Sequence, residues 1–104
     1  MVGPLITEQW LLDEQACENE FILAMKTWPG GTQLTEEVLV IAARLPVQIE
    51  WLAEHLLTDT ALVLFNKQKP FYPSEVSKDE AWVRHQVVLA RLLWSIGEGS
   101  GWKF

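Results

Sequence analysis

Two glutamates four positions apart, Glu50 and Glu54, are the residues of this chain that most nearly match a catalytic arrangement. On a helix this spacing puts both carboxylates on one face, where they could act as a general acid and a general base. Two like charges placed in this way more commonly face water. An enzyme with a carboxylate pair is therefore the weakest of the functional alternatives.

Ligands at metal-binding spacing are missing from the sequence. His55 adjoins Glu54 and follows Glu50 by five positions, while His85 stands alone on the last predicted helix. These spacings match neither an HExxH nor an ExxH motif, so we predict no metal site. The sequence also lacks a GxSxG motif and a glycine-rich phosphate loop, so we predict no cofactor and no catalytic residue. The single cysteine, Cys17, falls on the apolar side of the first predicted helix, and we interpret it as a core residue.

The charge is unevenly distributed along the chain. Residues 1–60 carry a balance of −8, residues 61–104 carry +2, and the whole chain carries −6. An acidic surface repels phosphate backbones and anionic lipid and attracts basic protein surfaces, although it also simply keeps a protein soluble. The segment 34–52 is spaced like a helix-turn-helix, but its would-be recognition helix, Gln48 to Leu57, has no lysine or arginine. We predict a basic protein partner, no nucleic acid and no membrane.

The sequence favours a cytoplasmic protein. Its longest apolar runs, such as Val38 to Ala43, are far shorter than the roughly 20 residues that span a bilayer. The first six residues have neither the basic nor the apolar region of a signal peptide. A single cysteine cannot form an intramolecular disulfide, which is consistent with a reducing compartment.

Tryptophan is the most distinctive residue of this chain, since a core of this size cannot bury all six indoles centrally. The six are Trp10, Trp28, Trp51, Trp82, Trp94 and Trp102. Trp51 lies off the apolar stripe of its helix, between Glu50 and Glu54, so it either covers the edge of the core or forms an interface hot spot. Trp102 and Phe104 follow a glycine-rich tether and could dock on their own domain, fray, or reach a partner. The predicted partner-binding residues are Trp51, Glu50, Glu54, Trp102 and Phe104.

Helices with recognisable starts and stops must position these residues. A first helix is predicted from an N-cap at Thr7 to Trp28, where Pro29-Gly30-Gly31 stops it. A second begins at Thr35, contains the apolar run from Val38 to Ala43 and ends before Pro46, which suits the first turn of a third. The apolar stripe of the third helix is formed by Ile49, Leu52, Ala53 and Leu56.

The remainder of the chain contains one ambiguous segment and one clear helix. The run Ala61 to Phe65 is short enough for a strand, but a helix is favoured because Asp59 can cap it and no partner strand is evident. An aromatic loop follows at residues 70–73, and a capping box at 77–80 starts a helix that runs to Ile96. We predict an all-α fold in which about five helices form one compact domain over residues 1–104. A flexible tail is expected from about Gly97, and no sheet of three or more strands.

Half of the chain, residues 10–57, resembles a short helical module of small uncharacterised bacteriophage and prophage proteins. The resemblance is carried by the pattern AC…F…WPxG…LTEE…EWLA..LL, which contains no catalytic residues. It implies an origin in a mobile element. The expected function is non-enzymatic binding of a host protein, as in host-takeover or anti-defence inhibitors of the anti-CRISPR kind. The alternative is a structural phage component that assembles with itself, for example as a homodimer.

Overall fold

The computed structural model describes residues 3–45, 48–70 and 80–103, apart from the side chain of Ser100. Within these ranges the chain forms six α-helices and two short strands, which confirms the predicted all-α bundle. The elements in chain order are β1 Leu5–Ile6, α1 Glu8–Asp13, α2 Glu18–Thr27, β2 Thr32–Gln33, α3 Glu36–Arg44, α4 Ile49–Leu56, α5 Asp59–Gln68, α6 Glu80–Ile96 and a π-helical turn, Gly97–Gly101.

The first predicted helix is in fact two helices, because the chain turns between α1 and α2. The predicted cap at Thr7 is confirmed, since its hydroxyl accepts a hydrogen bond from the Trp10 N–H at 3.0 Å. Gln15 then adopts a left-handed conformation with a φ of 57°, and the Ala16 N–H donates to the Leu11 carbonyl at 3.0 Å. This arrangement closes α1 as a Schellman motif, which normally has glycine at the left-handed position. With glutamine there, the sequence carried no visible stop.

The turn after α2 brings two short strands together. Gly31 has a φ of 100°, and a Cβ atom at this position would overlap the backbone carbonyl of Ile6. Only glycine tolerates both conditions. The turn lets β2 pair with β1 in antiparallel register, with Ile6 opposite Thr32, and the two strands form the sheet of the described residues.

Helix α6 is the centre of the bundle and packs against α3, α4, α5 and the π-helical turn. The predicted stripe of α4 is confirmed, since all four of its residues are buried. The run from Val38 to Ala43 is apolar on every side, which predicts a helix buried all round, but this prediction is wrong because Ile41 is 37% exposed. The side chains with 0% exposure are Leu39, Ala43, Ile49, Ala53, Leu56, Leu89, Ala90 and Leu93. Pro46, the predicted boundary between α3 and α4, lies outside the described residues.

The ambiguous segment 58–69 forms helix α5, as predicted. Thr58 rather than Asp59 caps it, with the Thr58 hydroxyl accepting a hydrogen bond from the Ala61 N–H at 3.3 Å. Phe65 anchors α5 in the core with 1% of its surface exposed. The predicted end of α6 at Ile96 is confirmed. The predicted capping box and aromatic loop fall outside the described residues, except for Pro70 and Glu80.

Residues 97–103, where the sequence predicts a flexible tail, form a π-helical turn followed by an extended segment. The π-helical turn reverses the chain, and the backbone of the last residues pairs with the segment between α4 and α5. The Thr58 N–H donates to the Gly101 carbonyl at 2.8 Å, and the Lys103 N–H donates to the Leu56 carbonyl at 2.7 Å. The Trp102 ring lies against Gly97 and Gly3.

Replacing Gly97 by alanine should destabilise the fold, because the added methyl group would overlap the Trp102 ring. Overpacking of this kind costs typically about 1–3 kcal/mol. Gly99→Ala is the matched control, since a Cβ atom at Gly99 meets nothing within 4 Å. We expect a lower urea midpoint for Gly97→Ala and a midpoint at or above wild type for Gly99→Ala. Equal midpoints would contradict the packing of Trp102 on the turn.

Candidate functional site

A cleft of about 250 Å³ lies between α4 and α6 and contains three of the predicted site residues. Its walls are Gln48, Glu50, Trp51, Glu54, Trp82 and Gln86. The stripe of α4 faces the core, so the residues between its members are left on the side of the helix that borders this cleft. Drug-sized ligands occupy pockets of about 300–1,000 Å³, and this cleft is therefore of a size for one or two residues of a partner.

The start of α4 is held by side chains from two other helices. Gln48 occupies the cap position without making a side-chain capping bond. The Gln86 amide oxygen instead accepts a hydrogen bond from the Ile49 N–H at 3.0 Å, and Glu20 accepts one from the Gln48 N–H at 3.0 Å. Gln86 is 1% exposed, so its bond to α4 is buried. Sequence reasoning missed Gln86, although the absence of a good capping residue before Ile49 was a signal that a cap must come from elsewhere.

The two carboxylates of the cleft have different environments. Glu50 forms an ion pair with Lys69, whose Nζ lies 2.8 Å from Glu50 Oε2. Glu54 is exposed, and it makes no hydrogen bond or ion pair with any residue that the structure describes. The predicted pair is thus brought together on one helix, but only the charge of Glu54 is left without a counter-charge in the described part of the chain.

Trp51 is half-buried and packs on two neighbouring rings. The His55 imidazole stacks on it with centroids 4.2 Å apart and an interplanar angle of 28°. The Trp10 ring meets it edge-on at 5.9 Å. His55 is held in turn by Glu14, with 3.0 Å between Nδ1 and Oε1. Trp51 therefore covers the edge of the core and also borders the cleft, and its role as an interface hot spot stays a prediction.

On the α6 side Trp82 lines the cleft, and His85 follows it one turn further along the helix. The two rings lie 6.0 Å apart and are tilted by 36°. Burial lowers the pKa of His85 below its ordinary value of 6.5; the nearby Glu50 carboxylate opposes this effect and the Lys69 ammonium adds to it. Burial thus favours the neutral form of His85 over the charged form. Trp82 was not among the predicted site residues, because nothing local in the sequence pairs it with α4.

The other predicted residues do not join this cleft. Trp102 is half-buried with its ring centroid 5.9 Å from that of Trp94, so it docks on its own domain. Phe104 lies outside the described residues. The interpretation of Cys17 as a core residue is wrong: the turn at Gln15 moves it to the cap of α2, where it is exposed.

No group of three or more potential metal ligands occurs within residues 3–45, 48–70 and 80–103. None of the helices in these ranges is long and apolar enough to cross a membrane. No protein-family model, curated protein or solved structure matches the chain. The resemblance to phage and prophage proteins therefore stays an expectation.

Replacing Gln86 by methionine should destabilise the protein, because the buried Ile49 N–H would lose its acceptor while the side-chain volume stays similar. An unsatisfied buried donor costs about 1–3 kcal/mol. The control is Gln68→Met at the exposed end of α5. We expect urea unfolding to show the loss for Gln86→Met alone, and two equal losses would count against the proposed capping role.

The lowered pKa of His85 predicts a loss of stability in acid. Below pH 6.5 the unfolded chain takes up a proton at His85 that the folded chain does not, so the free energy of unfolding decreases as the pH falls. The loss from this group ends once the pH is below its folded-state pKa. His85→Gln should therefore reduce the difference between the urea midpoints at pH 7 and pH 5. An unchanged difference would show that other groups cause the acid sensitivity.

Proposed function

We propose that this protein is a non-enzymatic interaction protein of phage or prophage type that binds a basic surface of a host protein. Host-takeover and anti-defence inhibitors act in this way, by covering a surface of their target. The observation that carries the proposal is the Glu54 carboxylate, which has no partner in the described part of the chain and lies beside Trp51 in a cleft of side-chain size. The proposed place of action is the host cytoplasm.

The charge and the aromatic side chains of the cleft have separate roles in this proposal. The balance of −8 over residues 1–60 speeds encounter with a basic partner and makes association depend on salt. Affinity comes mainly from indole surface that loses water in the complex, as is typical of interface hot spots. Trp51 suits this role because its ring is already held by His55 and Trp10, so little conformational freedom is lost on binding.

A second candidate function is self-assembly as a structural component. Val63 and Leu64 of α5 are 55% and 44% exposed. Both line a groove of about 450 Å³ that also touches Ile96 and the π-helical turn. Exposed apolar surface beside a groove suits a symmetric interface between copies of one chain.

Charge reversal at Glu54 tests the proposed function. Glu54→Lys should abolish the capture of a specific protein from host lysate, because it places a positive charge where the basic partner binds. Glu98→Lys is the matched control, since Glu98 is also exposed but lies on the π-helical turn. The captured protein is identified by mass spectrometry, and its capture should weaken as salt is raised.

Two results would contradict the proposal. One is capture of the same proteins by wild type, Glu54→Lys and Glu98→Lys, which would separate binding from the cleft. The other is a closed oligomer in light scattering at micromolar concentration with no captured host protein, which favours self-assembly. A monomer in the same measurement is the expected result.

A further inference from the structure

We infer that the cleft between α4 and α6 binds an arginine-containing peptide segment, with the guanidinium at Glu54 and a main-chain carbonyl at Gln86. The inference rests on the proposed function and names the chemistry of the partner. Its first support is charge. Glu50 is already paired with Lys69 at 2.8 Å, so Glu54 is the carboxylate of the cleft that has no counter-charge among the residues the structure describes.

The second support is the nature of the cleft walls. Two indoles, those of Trp51 and Trp82, line the same cleft as Glu54. A guanidinium group is planar, stacks on an indole and forms paired hydrogen bonds with a carboxylate, whereas an ammonium group is a compact and strongly hydrated charge. Tryptophan next to a carboxylate therefore favours arginine over lysine.

The third support is Gln86, which is 1% exposed and lines the cleft. Its amide oxygen already accepts the hydrogen bond from the Ile49 N–H. The Ile49 N–H can only donate, so the Gln86 oxygen faces Ile49 and the amide nitrogen faces away from it. This nitrogen makes no hydrogen bond to a residue that the structure describes. No fully buried polar atom of the described side chains lacks a partner, so this nitrogen is not fully buried, and the cleft is the opening that Gln86 lines. The Gln86 amide nitrogen is a hydrogen-bond donor, and the main-chain carbonyl of an entering peptide can accept this hydrogen bond.

The size of the cleft is consistent with such an occupant. About 250 Å³ accommodates a single long side chain and its adjoining peptide group, and it is below the range of pockets that hold cofactors or drug-sized ligands. The occupant is therefore a residue of a larger partner, which gains its remaining affinity outside the cleft.

The test uses the full-length protein and the peptide acetyl-Gly-Arg-Gly-amide, followed by NMR. Binding should shift the indole N–H signals of Trp51 and Trp82 and the side-chain amide signal of Gln86. The peptide acetyl-Gly-citrulline-Gly-amide keeps the shape and removes the charge, and it should bind about tenfold more weakly or not at all. The lysine peptide should bind more weakly than the arginine peptide.

Variants locate the binding and separate the inference from the proposed function. Glu54→Gln should weaken the arginine peptide about tenfold, whereas Glu98→Gln should leave its affinity unchanged. Equal binding of the arginine and citrulline peptides, or shifts that avoid Trp51, Trp82 and Gln86, would overturn the inference. If a host protein is still captured in a Glu54-dependent manner, the proposed function survives that result. If the arginine peptide binds as expected but no host protein is captured, the cleft is an arginine site and the proposed function fails.

Discussion

A single buried hydrogen bond, from the Ile49 N–H to the Gln86 amide oxygen, fixes the relation between the two helices on which the rest of the structure depends. The first N–H groups of a helix have no partner within it, and here the local sequence supplies no cap. Ile49 is 0% exposed, so water cannot replace the acceptor of its N–H group. The first turn of α4 therefore has to lie beside Gln86. This contact sets the position of α4 along α6 and directs Ile49 and Leu52 into the core.

The same constraint creates the cleft. The apolar stripe of α4 faces the core, so Glu50, Trp51 and Glu54 lie along the seam between α4 and α6. Trp82 and Gln86 of α6 form the opposite wall of the cleft. The site thus consists of the residues that are left beside a packing interface. Its walls need no loop to position them, because regular helices on both sides hold the side chains.

Sequence periodicity was sufficient where structure depends on neighbouring residues. The stripe of α4, the caps at Thr7 and Thr35 and the helical state of α5 all follow from patterns within a few residues, and each is confirmed. The break at Gln15 was not predicted, because glutamine rarely adopts a left-handed conformation and no local pattern marks the position as a helix end. Gln86 lies 37 positions from Ile49. The Trp102 ring packs against Gly97, although a glycine-rich segment by itself predicts flexibility. Their roles depend on tertiary contacts, and single-sequence reasoning sees composition and local spacing only.

Within the candidate site, the sequence predicted which charges and which indole of α4 share a face, but it could not predict how those charges are balanced. Lys69 comes from the end of α5 and neutralises Glu50. This pairing matters for binding, because two uncompensated carboxylates would leave one negative charge unmatched by a single cation. With Glu50 already paired, one guanidinium at Glu54 balances the charge of the described side chains that line the cleft. Lys69 is therefore the residue that makes a one-arginine occupant electrostatically consistent, although it is not among the residues that line the cleft.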